Sequence, residues 1–273
     1  MTNQRVFDQQ HYRALDQARL ALLRGMLPAW KQQFQLNTAL DVACGVGHFS
    51  ALLQESGFKV VAVEGRAYNA EEARQRVPGL MVHLGDVEEL NSLGLQPCDL
   101  VFCLGLIYHL ENPLRTIRQL RGLTNKLMVV ESMCVDDPLP RLELRDEGPS
   151  EDQGLRHLAF YPSEICLIKM LYRAGFTFVY RFAHLPDHPD FYANRMRRRT
   201  RTMLVASLME IDSPLLEQAV EPGNRPDPWT TSWAEMCRPV GRLRAFMAKP
   251  WPDQVAILRR KLGLGVSPRI AGR

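Results

Sequence analysis

The sequence has 273 residues, of which 46% are hydrophobic and 23% charged, and its formal net charge is +4. These values are typical of a globular protein and exclude a collagen-like, low-complexity or disordered chain. No apolar run reaches the roughly 18 residues of a membrane span, and residues 1–10 lack the apolar core of a secretory signal. The six cysteines form no CxxC pair, which favours reduced thiols in the cytoplasm over disulfides or a zinc site.

The predicted elements begin with a helix over residues 11–27, where apolar side chains recur at helical spacing before Pro28. Short apolar runs then alternate with amphipathic segments, which is typical of a parallel sheet covered by helices on both faces. The predicted strands cover 38–43, 59–63, 80–84, 99–104, 127–131, 176–182 and 200–208. The predicted helices after the first end at about 55, 76, 123 and 174. No helical pattern separates the last two strands, so we expect them to pair antiparallel.

The last part of the chain has a different composition. Residues 210–273 are rich in proline and contain three of the four tryptophans, and from residue 236 onward they carry nine Arg or Lys against one acid. We therefore predict an N-terminal helical cap over 1–36, a central domain over 37–209 and a basic, tryptophan-containing extension over 210–273. Such an extension either binds a partner protein, an anionic membrane surface or RNA, or packs against its own domain.

A glycine-containing turn follows the first predicted strand. Asp41 lies on that strand, where its carboxylate either fixes the turn or holds a cationic ligand group, and Ala43–Gly47 leads into a predicted helix. Glycine lets a backbone approach a ligand closely, and free N–H groups at the start of a helix bind polar ligand atoms. The pattern favours a nucleotide-cofactor turn over a plain tight turn. Ser50 replaces the third glycine of the dinucleotide-binding pattern, which disfavours a nicotinamide oxidoreductase.

At these positions the sequence resembles the class I S-adenosylmethionine-dependent methyltransferases. Their first motif, acid-x-G-x-G-x-G, stands here as Asp41, Ala43, Gly45 and Gly47. Further matches follow in order: an acid ends the second predicted strand, an acid with an apolar neighbour ends the third, and the run Leu104–Pro113 follows the fourth. That run most resembles the branch that contains the tRNA wobble-uridine carboxymethyltransferases. The resemblance covers about residues 37–209.

The resemblance implies a Rossmann-like α/β fold with a seven-stranded, mostly parallel sheet, an antiparallel last strand and helical additions at both ends. It also implies S-adenosylmethionine as cofactor, with Glu64 on the ribose hydroxyls and Asp86 and Val87 at the adenine. The cofactor-binding residues predicted in this way are Asp41, Ala43, Cys44, Gly45, Gly47, Glu64, Gly65, Asp86, Val87, Cys103 and Leu104. No covalent nucleophile is expected, because the sulfonium already activates the methyl group and the enzyme mainly aligns the acceptor and excludes water.

Two residues after the fourth predicted strand are the candidates for catalysis. A hydroxyl acceptor benefits from a general base, and His109 follows the strand at the edge where the acceptor should lie. The alternative for His109 is support of the cofactor loop at the start of a helix. Tyr108 is either a pocket wall or a core side chain, and His157 is a second candidate base. The His184–Asp190 loop holds two His and two Asp, but its prolines favour a surface loop over a metal site.

Five arginines occur within residues 195–201. The connection between the sixth and seventh strands should lie on the acceptor side, since the seventh strand runs back from there. Arg195, Arg197 and Arg199 have period-2 spacing, which directs their side chains the same way in an extended chain and predicts a surface for an anionic acceptor. A solvated basic loop is the alternative. The acidic connection 132–161 should lie on the same face, where it can pair with these arginines as a lid.

The sequence therefore predicts methyl transfer from S-adenosylmethionine to O, N or C of a small-molecule acceptor, anionic if the arginines bind it. RNA, in particular tRNA, is the alternative acceptor, and its binding would be sensitive to salt. A non-catalytic cofactor-binding protein is the alternative from another class. The acceptor itself and the oligomeric state are not determined by the sequence, because pockets in one fold serve many reactions.

Overall fold

The computed structural model describes residues 6–223, which form one eight-stranded sheet with helices on both faces. The strands of this sheet are β1 (Thr38–Val42), β2 (Lys59–Glu64), β3 (Met81–Leu84), β4 (Cys98–Leu104), β5 (Thr124–Met133), β8 (Phe178–Phe182), β9 (Arg201–Ser207) and β10 (Leu216–Gln218). A separate hairpin consists of β6 (Leu142–Asp146) and β7 (Leu158–Pro162). The helices are α1 (Gln10–Phe34), α2 (His48–Glu55), α3 (Ala67–Arg76), α4 (Pro113–Gly122) and α5 (Glu164–Ala174).

The order of strands across the sheet is β10-β8-β9-β5-β4-β1-β2-β3. β1 to β5 pair in parallel, whereas β9 runs antiparallel to both β5 and β8. This confirms the predicted Rossmann-like sheet with its antiparallel last strand, to which the structure adds the short β10. The chain moves outward from β1 to β3 and returns to β4 on the other side of β1. The carboxyl ends of β1 and β4 therefore flank the switch point at which open α/β sheets bind ligands.

Two hydrophobic cores lie on opposite faces of the sheet, because successive side chains of a strand point to opposite sides. Phe102 of β4 belongs to the core beneath α1, α2 and α3, together with Leu23 and Trp30 of α1. Its neighbour Cys103 belongs to the other core, beneath α4 and α5. The two cores cover both faces of the parallel strands.

The first helix extends further than its sequence pattern predicts. The periodicity places its end before Pro28, whereas α1 continues to Phe34 with Pro28 inside it. Proline removes one helical hydrogen bond, but Leu27, Trp30 and Phe34 on either side of it are buried in the core. This burial holds the last two turns of the helix in place.

The long connection after β5 contains a hairpin that the sequence analysis did not predict. β6 and β7 pair antiparallel, and residues 147–157, hereafter the hairpin loop, join them. Every residue of β6 is exposed, so the strand carries no buried apolar run by which to find it. The hairpin carries its loop to the carboxyl edge of the sheet.

The predicted division of the chain at 36/37 and 209/210 stays a prediction. The described residues up to Pro222 belong to one compact unit, which includes α1 and β10. Most of the predicted extension, with Trp229, Trp233 and Trp251, lies outside the described residues. Among residues 6–223, no helix is long and apolar enough to cross a membrane.

Candidate cofactor and acceptor site

A cavity lies at the carboxyl edge of the sheet, at the switch point between β1 and β4. Its wall is formed by the ends of four strands, by α1 and by the hairpin loop. The predicted site residues that line it are Ala43, Cys44, Gly45, Glu64, Gly65, Asp86, Val87, Leu104, Tyr108 and His109. Phe7 and Tyr12 from the start of the described chain also line it. The segments that the motifs single out are thus brought together in space.

The turn after β1 has the backbone conformation of a ligand-binding turn. Gly45 and Gly47 both have positive φ, at 55° and 89°. Ala43 also lies in the left-handed region, with φ 58°, although an L-residue there costs roughly 1–2 kcal/mol. This is the position at which the family motif has glycine, so the substitution is accommodated at the expense of backbone strain. The ring of Phe7 lies above the turn, 3.6 Å from where a Cβ of Gly45 would stand.

Asp41 lies behind this turn and does not line the cavity. Its side chain is buried, and Ser50 Oγ donates a 2.6 Å hydrogen bond to its Oδ2. Burial raises the pKa of the Asp41 carboxyl to about 6. The contacts fit the role of fixing the turn, since the bond ties β1 to α2. Gly47 and Cys103 also lie outside the cavity wall, and the cofactor-binding roles of all three stay predictions.

Glu64, at the end of β2, is held in the cavity wall by backbone donors. Its Oε2 accepts a 2.9 Å hydrogen bond from Gly45 N, and its Oε1 accepts a 3.0 Å bond from Arg66 N. Burial raises the pKa of Glu64. Asn69 Nδ2 donates a third, 3.4 Å hydrogen bond to Oε1, so the group is oriented, and the second lone pair of Oε2 can still accept from a hydroxyl of a ligand.

Asp86, at the end of β3, is engaged on both oxygens. Oδ1 accepts a 2.9 Å hydrogen bond from Glu88 N and starts the short 3-10 helix Val87–Leu93. Oδ2 forms a 2.9 Å ion pair with Nη2 of Arg156 from the hairpin loop. Val87 is buried beside it. The predicted role of Asp86 and Val87 at the adenine stays a prediction.

The hairpin loop and residues 6–12 contact each other at the cavity. The two segments together are hereafter called the cover. Val6 N donates a 2.6 Å hydrogen bond to Oε1 of Glu151. The hydroxyl of Tyr12, on α1, donates to the carboxylate of Asp152. The beginning of the described chain and the tip of the hairpin are therefore joined by two polar contacts.

The hairpin loop is also attached to the strands beneath it. Arg66 Nη2 donates a 2.9 Å hydrogen bond to the carbonyl of Gln153. The side chain of Leu155 lies against Gly65, where an added Cβ would come within 2.8 Å of it. Glycine at position 65 thus allows the cover to approach the end of β2 closely.

A buried charge network lies at the inner end of the cavity. Glu131, at the end of β5, is fully buried, and its two oxygens bind Arg19 Nη1 at 2.7 Å and Arg201 Nη1 at 2.8 Å. Burial alone would raise the pKa of Glu131, but the two guanidinium groups lower it. Arg19 also donates to Asp16 on the same helix, and both arginines line the cavity. The sequence analysis missed Glu131, although an acid within the buried run Leu127–Ser132 was a visible signal.

The two catalytic candidates lie in a 3-10 turn, Ile107–His109, rather than in α4. Tyr108 is buried, and its ring lies 5.8 Å from the guanidinium of Arg201. Burial raises the pKa of Tyr108. His109 packs against the Tyr108 ring with centroids 4.0 Å apart, and its Nδ1 lies 2.7 Å from Oε1 of Glu147 in the hairpin loop.

The arginine run does not form the extended ladder that its spacing suggests. Asn194 Oδ1 accepts from the backbone N–H groups of Met196 and Arg197, which makes a turn there. The three arginines Arg195, Arg197 and Arg199 do not line the cavity, and their predicted acceptor role stays a prediction. Arg197 pairs with Asp190, and Arg199 Nη1 lies 2.7 Å from Oε2 of Glu164. Arg201, the last arginine of the run, is the one that reaches the cavity.

The remaining candidates lie away from the cavity. His157 is exposed with φ 57°, and its Nδ1 lies 3.1 Å from the carbonyl of Gly148. In the His184–Asp190 loop, Asp190 N donates a 3.3 Å hydrogen bond to Nδ1 of His188. No group of three or more metal-ligating side chains occurs within residues 6–223.

Comparison with known proteins agrees with this geometry. Residues 10–181 match the family model described as a methyltransferase domain. The chain belongs to this family. This match, with the solved structures below, confirms the predicted class I methyltransferase family and its cofactor S-adenosylmethionine.

Individual relatives and solved structures are more distant. The tRNA U34 carboxymethyltransferase of Actinobacillus succinogenes is 28% identical over 158 residues, which are 52% of this chain and 46% of that protein. The chain thus spans about half the length of such curated relatives. The magnesium protoporphyrin IX methyltransferase of Synechocystis, solved with bound S-adenosylmethionine, has TM-score 0.50 at 18% identity and covers 73% of this chain and 84% of its own. The N-terminal domain of EvdMO1, with SAH bound, has TM-score 0.53 at 19% identity over the same shares. At these identities the structures show a shared fold.

Proposed function

We propose that this protein transfers the methyl group of S-adenosylmethionine to a small-molecule acceptor. The observation that carries the proposal is a cofactor-type cavity closed by the cover, so that an acceptor must fit beneath the hairpin loop. A large acceptor could reach the inner end of the cavity only after the contacts of Glu151 and Asp152 with residues 6–12 had opened.

The residues of the cavity fit this cofactor in chemical type. The left-handed turn at Gly45 exposes backbone to a ligand, Glu64 offers carboxylate lone pairs to ribose hydroxyls, and Val87 lies beside Asp86 at the adenine end. When bound, the cofactor supplies a methyl group already activated by its sulfonium. The protein's part is to orient the acceptor, exclude water and hold or accept a proton. Arg19 and Arg201 also line the wall, but Glu131 and Asp16 balance their two positive charges, so the anionic nature of the acceptor stays a prediction from the sequence.

Calorimetric titration of the wild-type chain with S-adenosylmethionine, and in parallel with NADH, tests the cofactor. Micromolar binding of S-adenosylmethionine alone is expected. Glu64→Ala should weaken it by about 1–3 kcal/mol through loss of charge-assisted hydrogen bonds, whereas Glu71→Ala, an exposed acid on α3, should leave it unchanged. The absence of S-adenosylmethionine binding would sink the proposal, and binding of NADH alone would favour an oxidoreductase.

A panel assay with radiolabelled S-adenosylmethionine tests the acceptor class. Small phenols, alcohols and carboxylic acids form one arm and total tRNA the other. Label in small molecules is the expected result. Cofactor binding without turnover in either arm would instead favour a non-catalytic binding protein.

The alternative acceptor is tRNA, and the specific observation in its favour is the similarity to tRNA U34 carboxymethyltransferases over about half of this chain. The exposed arginines at 195, 197 and 198 would then contact phosphates. Label in tRNA would support it, provided that binding weakens steeply with salt as counterion release requires. The cytoplasmic location stays a prediction.

A further inference from the structure

A histidine and a glutamate meet at the cavity from two separate elements. His109 follows β4, and Glu147 begins the hairpin loop. Nδ1 of His109 lies 2.7 Å from Oε1 and 2.8 Å from Oε2 of Glu147. The Glu147 side chain is only 4% exposed, so the contact is shielded from competing water.

Neighbouring groups fix both members of this pair. Gly154 N donates a 2.9 Å hydrogen bond to Oε2 of Glu147, and Glu147 N donates a 2.9 Å bond to the carbonyl of His157. The ring of Tyr108 packs on one side of the imidazole. The carbonyl of His109 lies so close to Gly154 that an added Cβ would stand 2.7 Å from it. The carboxylate and the imidazole are therefore held relative to each other by packing from both elements.

The chemistry of the pair sets the state of the imidazole. A carboxylate oxygen only accepts hydrogen bonds, so Nδ1 carries the hydrogen, and in the neutral imidazole Nε2 then keeps its lone pair. His109 lines the cavity, and within residues 6–223 its Nε2 takes part in no hydrogen bond. The ring nitrogen that can accept a proton is thus left free in a residue of the cavity wall.

We propose that Glu147 is a positioning residue, which holds His109 in the tautomer whose Nε2 accepts a proton from a hydroxyl acceptor. This inference rests on the proposed function and narrows its acceptor to a hydroxyl compound. The hydroxyl proton passes to Nε2, the acceptor oxygen forms the bond to the methyl carbon, and the carbon–sulfur bond breaks with its electron pair left on sulfur. The imidazolium so formed is stabilised by the Glu147 carboxylate.

Long-range ¹H–¹⁵N NMR on the full chain, labelled at histidine, tests the tautomer without any acceptor. The His109 signal, assigned by its loss in His109→Gln, should be that of the Nδ1–H form. In Glu147→Gln, the N–H of Gly154 still requires a hydrogen-bond acceptor at the Oε2 position, so the amide oxygen occupies that position. The amide NH₂ then occupies the Oε1 position and faces Nδ1. Because an NH₂ group only donates hydrogen bonds, it should shift the His109 equilibrium toward the Nε2–H tautomer.

The matched control is Glu143→Gln, which changes an exposed acid of β6 and should leave the His109 signal unaltered. An Nε2–H form in the wild type would overturn the proposal. The same holds if Glu147→Gln leaves the His109 signal unchanged.

Kinetics separate positioning from a contact that only closes the loop. With a hydroxyl acceptor from the panel, Glu147→Gln should lower kcat about 10²–10³-fold and change the KM for S-adenosylmethionine by less than about twofold. Glu147→Asp should restore part of kcat. A role in loop closure alone would raise that KM and leave kcat intact, which would overturn the proposal.

Calorimetry with S-adenosylhomocysteine on the same variants distinguishes failure of the proposed function from failure of the role assigned to Glu147. Failure of the wild type to bind it would sink the proposed function itself. Normal binding by wild type and Glu147→Gln, together with an unchanged kcat, would sink the role of Glu147 alone.

Discussion

Arg156 of the hairpin loop and Asp86 at the end of β3 form a 2.9 Å ion pair in the wall of the cavity. The same guanidinium lies 3.5 Å from Glu88 and 3.6 Å from Glu111. One side chain of the loop thus meets three acids of the sheet edge. The loop has further attachments through Arg66 and through Tyr12, so its closure is shared among several polar contacts.

Removing one of these attachments should loosen the loop without unfolding the protein. We expect Arg156→Ala to raise the hydrogen-exchange rate of amides in residues 150–156, because it removes the ion pairs with Asp86, Glu88 and Glu111 that oppose local opening. The double variant Arg66→Ala/Arg156→Ala should exchange faster still. Mass-spectrometric exchange of peptides from β1 and β4 provides the internal control, and equal acceleration there would indicate global destabilisation instead.

Loss of the buried carboxylate of Glu131 should lower the free energy of unfolding far more than loss of an exposed acid. Glu131→Gln leaves two buried guanidinium groups with a neutral partner, and breaking a buried ion pair destabilises a protein by about 3–5 kcal/mol. Urea unfolding followed by circular dichroism measures this loss. Glu89→Gln removes a half-exposed partner of Arg115 and should cost less than about 1 kcal/mol. Equal stability of the two variants would contradict the role assigned to the network.

The raised pKa of Asp41 predicts a dependence of stability on pH. The folded state binds the proton more tightly than the unfolded state, whose pKa is near 3.8, so this group costs stability as pH rises from about 4 to 6. Asp41→Asn removes the titration. Relative to wild type, the variant should therefore gain roughly 2 kcal/mol in unfolding free energy between pH 4 and pH 7. Urea titrations at both pH values check this, and a pH-independent difference would contradict it.

The backbone of the turn predicts opposite effects at two of its positions. Ala43→Gly should stabilise the protein by about 1 kcal/mol, because it relieves the left-handed alanine. Gly47→Ala should destabilise it, since its φ is 89° and the new Cβ would meet Val77 Cγ2 at 3.0 Å. Thermal unfolding of both variants tests the pair, and a loss of stability in Ala43→Gly would show that the alanine methyl makes a compensating contact.

The parallel strands and the cofactor turn were predictable because their signals are local. Buried strands such as β4 contain continuous apolar runs, here Leu100–Leu104, and a Gly turn must follow its strand directly along the chain. The sheet edge then brings Gly45, Glu64 and Asp86 together by topology alone. The end of α1 was not predictable, because its continuation past Pro28 depends on burial against strands far along the chain.

The partners of the site residues could not be predicted, because they are set by tertiary contacts. Arg19 and Glu131 are separated by 112 residues, and neither belongs to a local pattern. The same holds for His109 and Glu147, whose contact depends on a hairpin with a fully exposed first strand. The extended arrangement predicted for the arginine run was wrong for a related reason, since the spacing of the arginines does not reveal the turn at Asn194.

The two roles of the first helix restrict how it can be exchanged between related proteins. α1 contributes Leu23, Leu27 and Trp30 to the main core and Arg19 to the wall of the cavity. Stability and ligand binding therefore share a single element. A chimera that joined the helix of one relative to the sheet of another would have to match both surfaces at once. Such an exchange can succeed only between chains that have changed together at the helix and at the sheet.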